Sequence, residues 1–529
     1  MTREIPGFYY DSVKRKYFRI EDSKTAPAQA AWSARNVKRR ALEEQENARR
    51  WEKLQRQAKK VKRARVREVP LMGGLLAREI GEVGGHRVLP GAETVGRAWA
   101  GGLRAKGGVK LWPNYPDNCG MLSSMWVGGS SEPGLGIVYG ALNEGLWAGA
   151  YIPRDAEDRI SCRHAAERYP GIDFRPRLYS LSDPIVTSIK FHDSSRTILL
   201  ASNDYRGGPI CIRQCKAQSR RSADPSRSLV LEDNESVLRF TGRQLDGSPA
   251  STIHALQPAP YGSRLTCIAG TDRGVVQLQD QELSWLTPPA DWSPRQFKFR
   301  GRTQAGQDRA PWQGDILSVD FLSPNNPEVI LAGTRSSHVC VLDLRTPPGE
   351  WSAESNTLKH ASSAAHVRCV GPYTVLAAGP QNAMALYDVR FLQRQRQRQQ
   401  LQQEEQQQDP TNWGGGGEGG GGRRRRPGNC TRPVVEFPSY RNQEHIHIGL
   451  DVLTEPGYGS VGIVAAAHGD ETVGLYSLGD GSRIPAAAVD GIKAHAVVRS
   501  LMWQTLPGDQ HPSLFVGEGP WVRKYSFWA

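Results

Sequence analysis

Few residue patterns in this chain have the spacing that chemistry demands. The stretch GYGSVG (457–462) has the GxGxxG form. A dinucleotide site also needs a strand before that motif and a helix after it, so that the pyrophosphate meets a helix N-terminus. Here Ile463 to His468 is a β-type apolar run that turns at Gly469-Asp470 into another, so the glycines read as a hairpin loop. The sequence contains no GxxxxGK[ST], HExxH or GxSxG, the frames that cradle phosphates, hold catalytic zinc or present a nucleophilic serine. Neither a catalytic residue nor a cofactor is expected, and the chain does not read as an enzyme.

The eight cysteines, Cys119, Cys162, Cys211, Cys215, Cys267, Cys340, Cys369 and Cys430, form no CxxC pair and no zinc spacing with histidine. They read as reduced intracellular thiols, with Cys211 and Cys215 as packing residues of a strand end. His445 and His447 share one face of a strand-like stretch because side chains alternate along a strand. They lack a third ligand nearby, so no metal is assigned.

Two strand endings are more specific: Leu342-Asp343-Leu344-Arg345 and Tyr387-Asp388-Val389-Arg390. With Asp and Arg two apart on a strand, both side chains project from one face, and the carboxylate can orient the guanidinium as a rigid fork. Such a fork suits recognition of another protein. Asp343, Arg345, Asp388 and Arg390 are therefore the candidate binding residues.

The elements that must carry these endings repeat. An apolar run, a small residue, a polar turn and a second β-type run recur at 135–152, 197–215, 264–279, 328–345, 373–390, 461–478 and 513–528. Several copies follow another short run, at 185–191, 316–322, 366–370, 448–453 and 497–503. Repeats with room for four strands each predict an all-β, seven-bladed propeller over 109–529. The chain ends on the third strand of its last copy, so the ring should close with an outer strand from the N-terminal side, around Val109 to Trp112.

The remaining segments read differently. Residues 1–25 carry two aromatic clusters about a polar turn, a hairpin whose face should dock on something, since a lone hairpin is marginal in water. Residues 26–69 are rich in helix formers and predict a basic helix. Residues 70–108 read as a Gly-rich linker, with 11 glycines in 71–108. The low-complexity run within 391–432 reads as a disordered insertion in a blade loop. Of the net charge of +14, residues 1–27, 28–68 and 391–432 carry +2, +9 and +4, which leaves the propeller near neutral. Lys59, Lys60, Lys62 and Arg63, and Arg423, Arg424, Arg425 and Arg426, thus form two basic patches of nuclear-import type. Nucleic-acid binding by such patches is weak, salt-dependent and sequence-blind. Without a run of 18 apolar residues or a signal-type N-terminus, no membrane partner is expected, and the nucleus, the cytoplasm or both are the expected location.

At the paired endings the chain resembles WD-repeat proteins. Leu342-Asp343 and Tyr387-Asp388 stand where the Trp-Asp pair stands, and His360 and His495 where Gly-His does. The endings are similar to the WDxR box of substrate receptors of the cullin-4 ubiquitin ligase, with Leu for Trp in the first. The N-terminal PGFYYDSVKRKYFRI and the blade order resemble the fourth subfamily of factors associated with damage-specific DNA-binding protein 1 and cullin-4, over residues 5–60 and 314–528 and more weakly between. This resemblance implies a non-enzymatic receptor in which Arg345 and Arg390 contact the damage-specific DNA-binding protein 1 adaptor. Another propeller surface would hold a protein substrate that the sequence does not identify. The alternative is a nuclear scaffold that binds RNA or chromatin through its basic arm.

Overall fold

The computed structural model describes residues 7–11, 14–21, 32–59, 90–203, 210–216, 236–240, 252–287, 314–391 and 431–527, apart from short gaps at 119, 131–133, 143–145, 156, 163–164, 181–184, 324–325, 347–350, 352–355 and 455–461. The chain divides into two units, Met1–Glu82 and Val83–Ala529.

In the first unit, β1 (Phe8–Asp11) pairs antiparallel with β2 (Lys16–Arg19), Phe8 opposite Arg19 and Asp11 opposite Lys16. The helix α1 (Ala34–Lys59) follows. The expected docking of the aromatic hairpin is local. Phe18 stacks on Trp32 with ring centroids 4.8 Å apart, and Arg40 of the helix donates to the Tyr9 hydroxyl at 2.5 Å. The remaining parts of the predicted 26–69 helix lie outside the described residues, as do Lys60, Lys62, Arg63 and the 393–428 run with Arg423 to Arg426.

The second unit opens with helix α2 (Pro90–Gly101) and strand β3 (Leu103–Lys110). Blade 1 holds β4 (Leu122–Gly129), β5 (Gly136–Leu142), β6 (Leu146–Ile152) and β7 (Arg177–Ser180). Blade 2 holds β8 (Ile185–His192), β9 (Thr197–Asn203), β10 (Ile210–Lys216) and β11 (Ser236–Phe240), and blade 3 holds β12 (Ile253–Pro258), β13 (Cys267–Thr271), β14 (Gly274–Gln279) and β15 (Glu282–Trp285). Blade 4 is β16 (Ile316–Ser323), β17 (Asn326–Thr334), β18 (His338–Asp343) and β19 (Thr357–Lys359). Blade 5 is β20 (His366–Gly371), β21 (Thr374–Gly379), β22 (Ala383–Asp388) and β23 (Val435–Glu436), so the low-complexity run separates its third and fourth strands. Blade 6 is β24 (Leu450–Leu453), β25 (Ile463–Ala467), β26 (Val473–Ser477) and β27 (Arg483–Ile484). Blade 7 is β28 (Leu501–Gln504), β29 (Ser513–Glu518) and β30 (Trp521–Phe527), completed by β3 as its outer strand. The first strands of successive blades touch around a full circle, β28 returning to β4. The protein is a seven-bladed β-propeller with a helical N-terminal extension.

Each recurring sequence unit is the second and third strand of one blade. These strands are buried on both faces, so they read as near-continuous apolar runs. In β17, Ile330 and Ala332 pack toward blade 3 while Leu331 packs toward blade 5. Seven apolar clusters result, one between each neighbouring pair of blades. Polar ties join first strands as well: Cys369 N donates to Asp320 at 2.8 Å, Trp503 N to Asp451 at 2.7 Å and Ile189 N to Ser124 at 2.9 Å.

The predicted linker over 70–108 needs correction. Its described part is α2 and most of β3, with Trp99, Ala100 and Leu103 buried against blades 6 and 7. Glycines hid this segment, although a buried Trp anchors it. The closing strand accordingly starts earlier than Val109: Leu103 pairs with Phe527, Val109 with Val522 and Lys110 with Trp521.

Candidate interaction site

The aspartates of the two Asp-x-Arg pairs end the third strands of adjacent blades at matching register. Asp343 lies opposite Val329 at the start of β17, and Asp388 opposite Thr374 at the start of β21. Because blades 4 and 5 are neighbours with the same strand order, both endings emerge on one face of the ring.

The geometry refines the expectation of two side chains on one strand. Each strand stops at its aspartate, and the arginine lies in the turn beyond, for Arg390 a single turn of 3-10 helix. What brings Asp and Arg together is a clasp. The backbone N–H of Arg345 donates to Asp343 Oδ1 at 3.0 Å, its Nε to the same oxygen at 2.8 Å and its Nη2 to Oδ2 at 2.6 Å. Arg390 repeats the pattern on Asp388, with backbone N–H to Oδ1 at 3.0 Å, Nε at 3.1 Å and Nη2 to Oδ2 at 2.6 Å. An aspartate bonding the backbone two residues on is a turn device, and the bidentate contact fixes the plane of the guanidinium.

The guanidiniums stay open to water, with side-chain exposures of 59% for Arg345 and 41% for Arg390. The Nη1 edge of Arg345 takes no part in its clasp. Hydrogen bonding from Arg345 holds the Asp343 carboxyl below the usual range, and Asp388 raises the basicity of Arg390. Behind the first clasp, buried Trp351 donates its indole N–H to the Asp343 carbonyl at 2.9 Å.

Two residues absent from the expectation share this face. Tyr373, 47% exposed in the turn between β20 and β21, carries the Arg390 guanidinium 5.0 Å above its ring. Tyr261, 88% exposed, lies in the turn between β12 and β13. First and third strands of a blade run the same way, so their ends lie on one side of the ring. That face therefore presents Tyr261, Arg345, Arg390 and Tyr373 from three successive blades, and Tyr and Arg are the side chains that anchor protein interfaces. The only sequence signal was an aromatic residue next to a turn proline or glycine, in PAPYGS and GPYT.

Other candidates come apart or acquire plain structural roles. His445 and His447 lie in the irregular stretch before β24 instead of a strand. His445 N donates to Asn442, whereas the His447 ring stacks on His254 at 6.2 Å. Among the described residues no group of three potential ligands could hold a metal. Cys211, Cys215, Cys267 and Cys340 are buried thiols, and the loop holding the GxGxxG glycines joins two antiparallel strands. His360 is buried with its Nδ1 2.9 Å from the Tyr387 hydroxyl, but His495 is exposed. Lys59 is the last residue of α1, and no described helix is long and apolar enough to cross a membrane.

No family model matches the chain, and no curated protein matches it either. A seven-bladed propeller with exposed loops on a rigid ring is the architecture of a protein-interaction scaffold.

Proposed function

We propose that this protein is a non-enzymatic substrate receptor of a cullin-4 RING ubiquitin ligase, docking on the damage-specific DNA-binding protein 1 adaptor through Arg345 and Arg390. The duplicated Asp–Arg clasp at matching register in adjacent blades carries this reading. Preoriented guanidiniums lose less freedom on binding than mobile ones, and Tyr373 beneath Arg390 adds rigid contact area. The receptor performs no bond chemistry. It raises the effective concentration of a bound protein beside the ligase's catalytic subunits, and the nucleus or cytoplasm is its place of work.

The test is co-purification of the adaptor with Arg345→Glu/Arg390→Glu. Both side chains are exposed, and surface changes of this kind shift stability by about 0.5 kcal/mol or less. The expected result is loss of the adaptor with an unchanged melting temperature; undiminished co-purification sinks the reading. Should removal of residues 28–68 abolish RNA or chromatin association in a chain that never captures the adaptor, the basic-arm scaffold is the better description.

A further inference from the structure

A cavity of about 150 Å³ lies where the first strands of the blades converge on the ring axis, roughly ten times the space one water requires. Its wall carries Lys190, Arg368 and Arg499 together with His254, His366 and His447, interspersed with serine and threonine hydroxyls and no carboxylate. The nearest buried acids, Asp320 and Asp451, have turned to other work. Asp320 accepts from the backbone of Phe321 and Cys369, and Asp451 from that of Trp503.

Concentrating three cations in a poorly solvated channel is unfavourable without a counter-charge. The side chains register this. Burial, with Arg368 adding repulsion, pushes Lys190 down to about 8, and burial with the same arginine and His447 pushes His366 down to about 3. The Nε2 atoms of His254 and His366 are buried and have no hydrogen-bond partner among the described residues. Unused donors, unbalanced cations and hydroxyls around a small cavity share one complement, a compact multivalent oxyanion.

We propose that the central channel is a binding site for a small phosphate-class anion, inorganic phosphate or pyrophosphate in size. It would lie between Lys190, Arg368 and Arg499 and take hydrogen bonds from the channel imidazoles. The cavity is too small for a nucleotide or a folded peptide segment. The ligand bridges the first strands of several blades, so occupancy ties the ring together from within. This site is independent of the exposed arginines on the outer face.

The test is calorimetric and thermal-shift titration of the full chain with phosphate and with pyrophosphate, against potassium chloride at matched ionic strength. The expected result is a saturable rise in melting temperature, with affinity weakened at least about tenfold in Arg368→Met and Arg499→Met. Replacing Lys59, Lys60, Lys62 and Arg63 with Gln should leave it unchanged. A response equal to that of chloride, an affinity untouched by the channel variants, or one lost with the arm substitutions overturns the proposal. Reductive methylation by formaldehyde gives a measurement that needs no variant. Pyrophosphate should protect Lys190 and leave exposed Lys359 reactive; equal labelling of Lys190 with and without the anion counts against the site.

Discussion

In each clasp the aspartate does two things at once, closing the turn through the backbone N–H and gripping the guanidinium. A glutamate would reach the arginine but not the turn. Buried polar pairs do comparable work at the histidines. His360 Nδ1 meets the Tyr387 hydroxyl at 2.9 Å, and His468 Nε2 meets the Tyr476 hydroxyl at 2.7 Å. Burial pushes both imidazoles down to about 4. In the unfolded chain they take up protons below about 6.5, whereas in the native state they stay neutral until about pH 4, so stability rises with pH across that window and is lost as pH falls through it. The expected loss between pH 7 and pH 4.5 is about 1–3 kcal/mol for each histidine. Urea denaturation at the two pH values measures it, and a His360→Gln/His468→Gln chain should show a visibly flatter dependence. An equal slope in both chains would place the acid sensitivity elsewhere.

At the scale of elements, the two-sided burial of second strands explains why small residues recur where they end. A Cβ on Gly333 would lie 2.5 Å from the Ala364 carbonyl of the next blade and against the Ser318 hydroxyl, and one on Gly270 would lie 2.7 Å from the Ile316 carbonyl. Neither neighbour is the free end of a flexible side chain. Gly333→Ala is therefore expected to cost about 1–3 kcal/mol through overpacking, read as a lower denaturation midpoint, whereas Gly314→Ala, with open space around it, should cost far less. The same burial decided what was legible beforehand. Second and third strands announce themselves as apolar runs, but outer strands such as β23 and β27 are two residues long and half solvated. The first strand β12, IHALQP, has neither a run nor an alternation. At the candidate site the Asp–Arg spacing was visible because it lies within one turn. Tyr373 was not, because its role depends on Arg390 arriving from another strand. The channel cations were hidden for the same reason: Lys190, Arg368 and Arg499 come from three different blades and meet only on the ring axis.

For the whole molecule, closure decides whether the sheets form a ring. Blade 7 is made from both ends of the propeller, β3 pairing along β30, which removes an edge that would otherwise expose unpaired backbone groups. Charge reinforces the joint. The fully buried Lys524 of β30 donates to Asp158 of blade 1 at 2.5 Å and lies 3.3 Å from Asp509, which also pairs with Arg154, while Ser526 donates to Asp158 at 2.9 Å. A chain beginning at Val83 keeps α2, β3 and this network, and is expected to elute as a monomer and melt in one transition. A chain beginning at Leu111 loses β3 along with Trp99, Leu103 and Val109 from two core clusters. Burying one large apolar side chain contributes about 1.5–3 kcal/mol, so three of them are comparable to the whole net stability of an ordinary domain, about 5–15 kcal/mol. That shorter chain should aggregate or elute as a higher oligomer through its open β30 edge. A synthetic peptide spanning residues 90–112, added during refolding, should restore the monomer if strand pairing is what was lost. A monomeric Leu111 chain melting like the Val83 chain would show that the ring closes without its N-terminal strand.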